Sequence, residues 1–222
     1  GKIVSPNQMT CEAFIAFCDN MMLPAEEGIK SVAKLGAQYV AAGIKNYIEN
    51  WILFIRSLLN GILAFKKVNV TRKAGALYAK LTRTCNSFDQ HAQIIINSIQ
   101  SPKTAEKSNL SYAINLLENK LSEVEDSKDF KDYISMPKND MTASSGDIMP
   151  VEMKSAVKAL NTMLTMLTTT KMMANSPKVT NDPVAKKAIR LVIRYYKLRC
   201  RLISKLTSFR NNVKSQKGKV VE

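Results

Sequence analysis

Seven basic residues at helical spacing stand out in this chain: Lys186, Lys187, Arg190, Arg194, Lys197, Arg201 and Lys205. At 100° per residue they fall within an arc of about 100° on one helix. Between Pro183 and Glu222 there are 12 Lys or Arg and one acid, +11 of the formal net charge of +15. Lysine and arginine at this density neutralise anions, so the chemistry implied is electrostatic binding of a polyanion. A second basic set lies between Glu49 and Asp89, a stretch with no acid: Arg56, Lys66, Lys67, Arg72, Lys73, Lys80 and Arg83. Of these, Arg72, Lys73, Lys80 and Arg83 share one side of a predicted helix. If the two basic faces lie side by side, they form a groove suited to a polyanion.

Residues for bond-making chemistry are sparse. The chain has one histidine, His91, six residues from Cys85 and so about 240° away on a helix, which is no local nucleophile–base pair. No HExxH, CxxC pair or Gly-rich phosphate loop appears, so no metal site, cofactor or catalytic residue is expected. The acids Glu118, Glu123, Glu125, Asp126, Asp129 and Asp132 are interspersed with Lys120, Lys128 and Lys131 and read as a solvated, salt-bridged face. A second use for them is self-association, the acidic face of one copy meeting the basic helix of another.

Long segments run without Gly or Pro and no strand pattern stands out, so the chain is expected to be all-α. The expectation is a single domain over 1–222: a bundle of about six helices around a long central apolar helix. The boundaries read 6–22, 24–66, 71–100, 108–134, 150–174 and 183–214. A mobile loop is expected at 135–149 and a loose tail at 215–222. The 24–66 helix carries Val40, Ile44, Tyr47, Trp51, Phe54, Leu58, Ile62 and Phe65 at 3–4 spacing, which marks it as central. Thr71 reads as the cap of the third helix. Methionines of the fifth helix, and Tyr195 and Tyr196 of the sixth, read as core. The apolar arc of the sixth helix is about 220° wide, so that helix should dock in the bundle and show only a narrow cationic strip.

Arg199 breaks that pattern. It falls opposite the basic strip, among apolar rows, and a buried guanidinium needs a partner. Glu49 and Asp89 are the candidates, each isolated in basic or apolar surroundings. The cysteines Cys11, Cys18, Cys85 and Cys200 read as free thiols, since a core this large needs no staples.

The functional expectation is non-enzymatic polyanion binding, with sequence-nonspecific nucleic-acid binding or packaging leading, as in a viral or chromosomal packaging protein. The binding residues would be the seven of the last helix with Arg72, Lys73, Lys80 and Arg83. The alternative is an interaction or effector domain that engages an acidic protein or an anionic membrane surface. An intracellular location is favoured, with secretion as the other option.

Overall fold

The computed structural model describes residues 10–16, 37–100, 106–137 and 147–217. Helices dominate it, as expected. Helix α1 covers 11–16 and is capped by Thr10, whose Oγ1 accepts from Ala13 N (3.2 Å). Then follow α2 (Ala37–Leu63), β1 (Lys67–Thr71), α3 (Arg72–Asn86), α4 (Asp89–Gln100), α5 (Glu106–Asp126) and α6 (Lys128–Ser135). The chain continues through β2 (Ile148–Glu152), α7 (Lys154–Met173), the single turn α8 (Pro177–Thr180) and α9 (Pro183–Lys217).

Two expected helices are each broken in the middle. The expected 71–100 helix ends at Asn86, where the Ser87 N–H turns back onto the Cys85 and Thr84 carbonyls; Asp89 then opens α4 at its positive end. The expected 108–134 helix breaks at Ser127, which caps α6 by accepting from Phe130 N (3.2 Å). Thr71 does cap α3, accepting from Ala74 N at 3.2 Å.

The two-stranded sheet is a departure from the all-helical expectation. β1 and β2 pair antiparallel, Lys67 opposite Glu152 and Thr71 opposite Ile148, and Met153 N extends the ladder to the Lys66 carbonyl (2.9 Å). Val68 and Val70 are buried against α9, which supplies the strand's alternation. Pro150, expected to start a helix, instead lies mid-strand opposite Asn69. With Met153 donating to β1, the alternation turns Pro150 N to the free edge, where a missing N–H costs no ladder bond. Met149 then lies over Gly75: a Cβ there would stand 2.6 Å from Met149 Sδ, so the Met149 side chain fills the space that a larger residue at 75 would take. The expected mobile loop at 135–149 falls largely outside the described residues, though Ser135 closes α6 and Ile148 opens β2. The residues of the expected tail beyond Lys217 also fall outside them.

Among the described residues it is α9 that touches the wider set of elements. α2 packs chiefly on α7, whereas α9 touches β1 and every helix from α2 to α8. Its buried residues include Ile189, Val192, Tyr195, Tyr196, Leu198, Leu202, Leu206 and Phe209, so an apolar arc this wide is packed on several sides. The start of the expected 24–66 helix, like most of the expected 6–22 helix, lies outside the described residues. Cys11, Cys85 and Cys200 are buried free thiols.

Candidate polyanion-binding surface

The basic strip of α9 lies against α5 and α6. These two helices run alongside α9 in the same direction, with a constant offset of 69 residues. Arg194 forms a bidentate pair with Glu125 (Nε–Oε1 3.1 Å, Nη2–Oε2 2.9 Å) and also donates to Ser122 Oγ (3.1 Å). One heptad earlier, Lys187 Nζ reaches Glu118 (3.4 Å). Further along, the Tyr133 hydroxyl donates to the Leu202 carbonyl (2.6 Å) and Lys205 Nζ to the Met136 carbonyl (2.7 Å). Arg201 pairs with Glu12 of α1 (2.9 Å) and lies over the Phe130 ring (5.1 Å). The hydrogen bonds from Arg194 to Glu125 hold the arginine pKa above its ordinary value.

The expected open strip is therefore largely a half-buried seam. Lys187 is exposed, while Lys186, Arg190, Arg194, Lys197, Arg201 and Lys205 are half-buried. Of the acids expected to be solvated, or to bind another copy, Glu118 and Glu125 meet the basic helix of the same chain. Carboxylates at 118 and 125 and bases at 187 and 194 share a seven-residue spacing, and that repeat was the signal in the sequence for the pairing.

The second basic set stands differently. Arg56, Lys66, Lys67, Arg72, Lys73, Lys80 and Arg83 are all exposed. Lys80 reaches Asp129 of α6 (2.6 Å). The two faces each meet α6, Lys80 at Asp129 and Arg201 over the Phe130 ring, while α3 and α9 also pack directly on each other. The ribbon adds a base that the sequence pattern did not bring forward. Lys154 is exposed and follows Met153, whose bond to Lys66 brings the two lysines to the same end of the β-ladder.

Arg199 is buried (4% exposed), as its position on the wheel requires. Its Nη1, with two hydrogens to give, lies within hydrogen-bond distance of Asn86 Oδ1 (2.8 Å), Tyr195 Oη (3.2 Å) and Asp89 Oδ2 (3.5 Å). The Tyr195 hydroxyl has one hydrogen to place between the Asp89 carboxylate and the Cys85 carbonyl (2.7 Å). Burial opposes the Arg199 cation, but Tyr195 and Asp89 outweigh it and its pKa lies above the ordinary arginine value. Burial also pushes the Tyr195 hydroxyl well up, so it stays a donor at neutral pH. This network spans the break between α3 and α4 and fastens it to α9. Glu49, the other candidate partner, instead pairs with Lys171 of α7 (3.3 Å).

His91 is half-buried on α4. Among the described residues no group of three or more His, Cys, Asp or Glu is placed to hold a metal ion, and no helix is long and apolar enough to cross a membrane. Fold and surface together define a helical bundle with a short β-ribbon and an exposed basic β1–α3 side. Comparison with protein-family models, curated proteins and solved structures finds no match.

Proposed function

We propose that the protein binds a polyanion without catalysis, nucleic acid being the leading partner, and that it does so through the β1–α3 side rather than the α9 strip. One observation carries this reading: all seven bases of the acid-free stretch 50–88 are exposed, while six of the seven α9 bases are half-buried. Charge already paired to a carboxylate in the same chain exchanges one ion pair for another on binding and gains little, whereas solvated lysines release the polyanion's counterions. The core of the interface is Lys66, Lys67, Lys73 and Arg83, with Lys154 beside Lys66.

Engagement of about four phosphates gives a log–log salt slope of roughly −2.8 on single strands and −3.6 on duplex DNA. The test is fluorescence anisotropy of labelled single-stranded and duplex oligonucleotides between low and physiological salt, run beside flotation with anionic liposomes. Glu substitutions at Lys66, Lys67, Lys73 and Arg83 together should abolish binding, and Lys187→Glu should leave it nearly unchanged. Salt-independent binding, or binding that survives the fourfold reversal, refutes the proposal. Flotation without oligonucleotide binding transfers the function to a membrane surface.

A further inference from the structure

A cavity of about 250 Å³ opens between the first half of α4 and the middle of α7, with Tyr196 of α9 at its base. That is below the size of pockets for drug-sized ligands and suits one nucleobase. Its rim is polar and stands in solvent: Asp89, Gln93, Thr162 and Thr165 are all exposed. Met163 is buried and Met166 half-buried, and their thioethers offer faces on which an aromatic ring can lie.

The rim is rich in acceptors. Thr162 Oγ1 donates to the Lys158 carbonyl (3.0 Å) and Thr165 Oγ1 to the Asn161 carbonyl (3.1 Å), so both hydroxyls are left with lone pairs to offer. The Asp89 carboxylate accepts from the Tyr195 hydroxyl and, at a long 3.5 Å, from Arg199. A carboxylate has about four lone-pair sites, and this one is 48% exposed, so acceptor capacity remains towards the cavity. Two groups supply donors. Among the described residues neither the Tyr196 hydroxyl nor the Gln93 amide has a hydrogen-bond partner. Tyr196 is 3% exposed, and burial, with the Asp89 carboxylate next, raises its hydroxyl pKa, so it stays a donor.

We infer that this cavity takes one unstacked guanine of a single-stranded nucleic acid, Asp89 and the threonine oxygens accepting from its N1–H and 2-amino group and the Tyr196 and Gln93 donors serving its O6. Guanine carries adjacent N–H donors beside one carbonyl, the complement of acceptors set beside donors. Thymine offers one N–H between two carbonyls and fits less well. A duplex keeps this edge paired, whereas a splayed single strand presents it. The phosphates have a path to the cavity. Lys154 and Lys158 are exposed and share with Thr162 and Thr165 an arc of about 80° on α7. Lys154 lies at the same end of the β-ladder as Lys66, so the bases run from β1 along α7 to the rim. The inference rests on the nucleic-acid reading of the β1–α3 side and adds to it a preference for single strands and for one base.

The test compares short labelled single strands by fluorescence anisotropy on the full chain: oligothymidylate, the same strand with one central guanine, and the same strand with hypoxanthine there, which lacks the 2-amino group. One guanine should tighten binding about tenfold, as one bidentate base contact implies, and hypoxanthine should lose most of that gain. The ratio of affinities for the guanine and all-thymine strands should fall towards one when Gln93→Ala and Tyr196→Phe are combined. The first change is at the surface and the second keeps the ring, and circular dichroism checks the fold of the pair. Saturation-transfer NMR with guanosine and thymidine tests the cavity apart from the phosphates: guanosine should give a signal that the double variant loses, and thymidine none. Equal affinity for the three strands, or an unchanged ratio in the folded double variant, overturns the inference and leaves the polyanion reading standing. Guanosine binding without strand binding overturns the polyanion reading and keeps only the guanine site, and binding of neither refutes both.

Discussion

The Arg199–Asp89 pair is unequal, and the inequality predicts which partner the fold can lose. Arg199 is 5% exposed at its side chain and Asp89 48%. Asp89→Asn keeps the shape but leaves a buried guanidinium facing only the Asn86 oxygen and the Tyr195 hydroxyl. Removing one partner of a fully buried pair costs about 3–5 kcal/mol. Here the contact is long, at 3.5 Å, and the carboxylate is half in water, which brings the expected cost to about 2 kcal/mol. About 0.5 kcal/mol of that belongs to the lost acid in the first turn of α4. Arg199→Met is the milder change. It keeps an apolar stem in the core, removes the charge that needed compensation and leaves Asp89 to hydrate, for a cost below about 1 kcal/mol. Once Arg199→Met is in place, Asp89→Asn should cost only the helix-end contribution, so the coupling between the two sites is about 1.5 kcal/mol. For a chain of this size, 1 kcal/mol moves Tm by about 2–4 °C. Asp89→Asn should therefore lower Tm by about 4–8 °C, and Arg199→Met by no more than about 4 °C. Urea unfolding followed by circular dichroism, with calorimetry for Tm, measures the parent, the two single variants and the double variant. A larger loss from Arg199→Met than from Asp89→Asn, or additive losses, would refute the assignment of Asp89 as the counter-ion.

Other expectations follow from single contacts. Burial raises the Cys11 and Cys85 thiols to about 12. Their neutral forms are favoured in the fold, so the stability they contribute is complete below about pH 9 and is lost as pH rises from 9 towards 12. In the native protein at about pH 8.5, near the ordinary thiol pKa, iodoacetamide should leave Cys11, Cys85 and Cys200 unmodified, as peptide mapping will show, and denaturant should expose all three. Ser127→Ala removes the α6 cap and should cost about 1 kcal/mol in urea unfolding. Gly75→Ala gains helix propensity but sets its Cβ against Met149 Sδ, and its net effect on stability should improve on a Met149→Ala background. Arg194→Met breaks the bidentate bond to half-exposed Glu125, so its loss in Tm should shrink in high salt.

What could be read from the sequence was whatever depends on one helix alone. The wheel of α9 put Arg199 among apolar rows, and a buried arginine with a carboxylate partner follows from the cost of burying a charge. The same wheel drew the basic strip correctly as a face. It could not say what covers that face, because a periodicity describes one element and the covering helix lies 69 residues earlier. The ribbon was harder. Lys67–Thr71 alternates for only five residues, Pro150 resembles a helix start, and the pairing that makes both into strands is non-local. The breaks at Ser87 and Ser127 carry neither Gly nor Pro. Serine ends a helix only when its side chain bonds the local backbone, as it does in each case here.

The two basic sets stand in different surroundings. A parallel seam with a constant offset fixes α9 against α5 and α6 at successive points along its length. Those contacts set register and direction between helices whose apolar sides would otherwise slide. Charge of this kind buys specificity of packing more than stability, since each partly exposed pair contributes only about 1 kcal/mol or less. The seam also neutralises part of the most basic region of the chain. The acid-free stretch is placed otherwise: its seven bases lie at the surface, and Lys80 is tied to α6 through Asp129. The stretch itself holds no acid, and the acids that stand beside its bases come from other elements, Glu152 opposite Lys67 and Asp129 on Lys80. Under the proposed function an anionic partner would meet these bases without first breaking the α9 seam, so mutational scans for binding belong on β1 and α3, and scans for folding on α9.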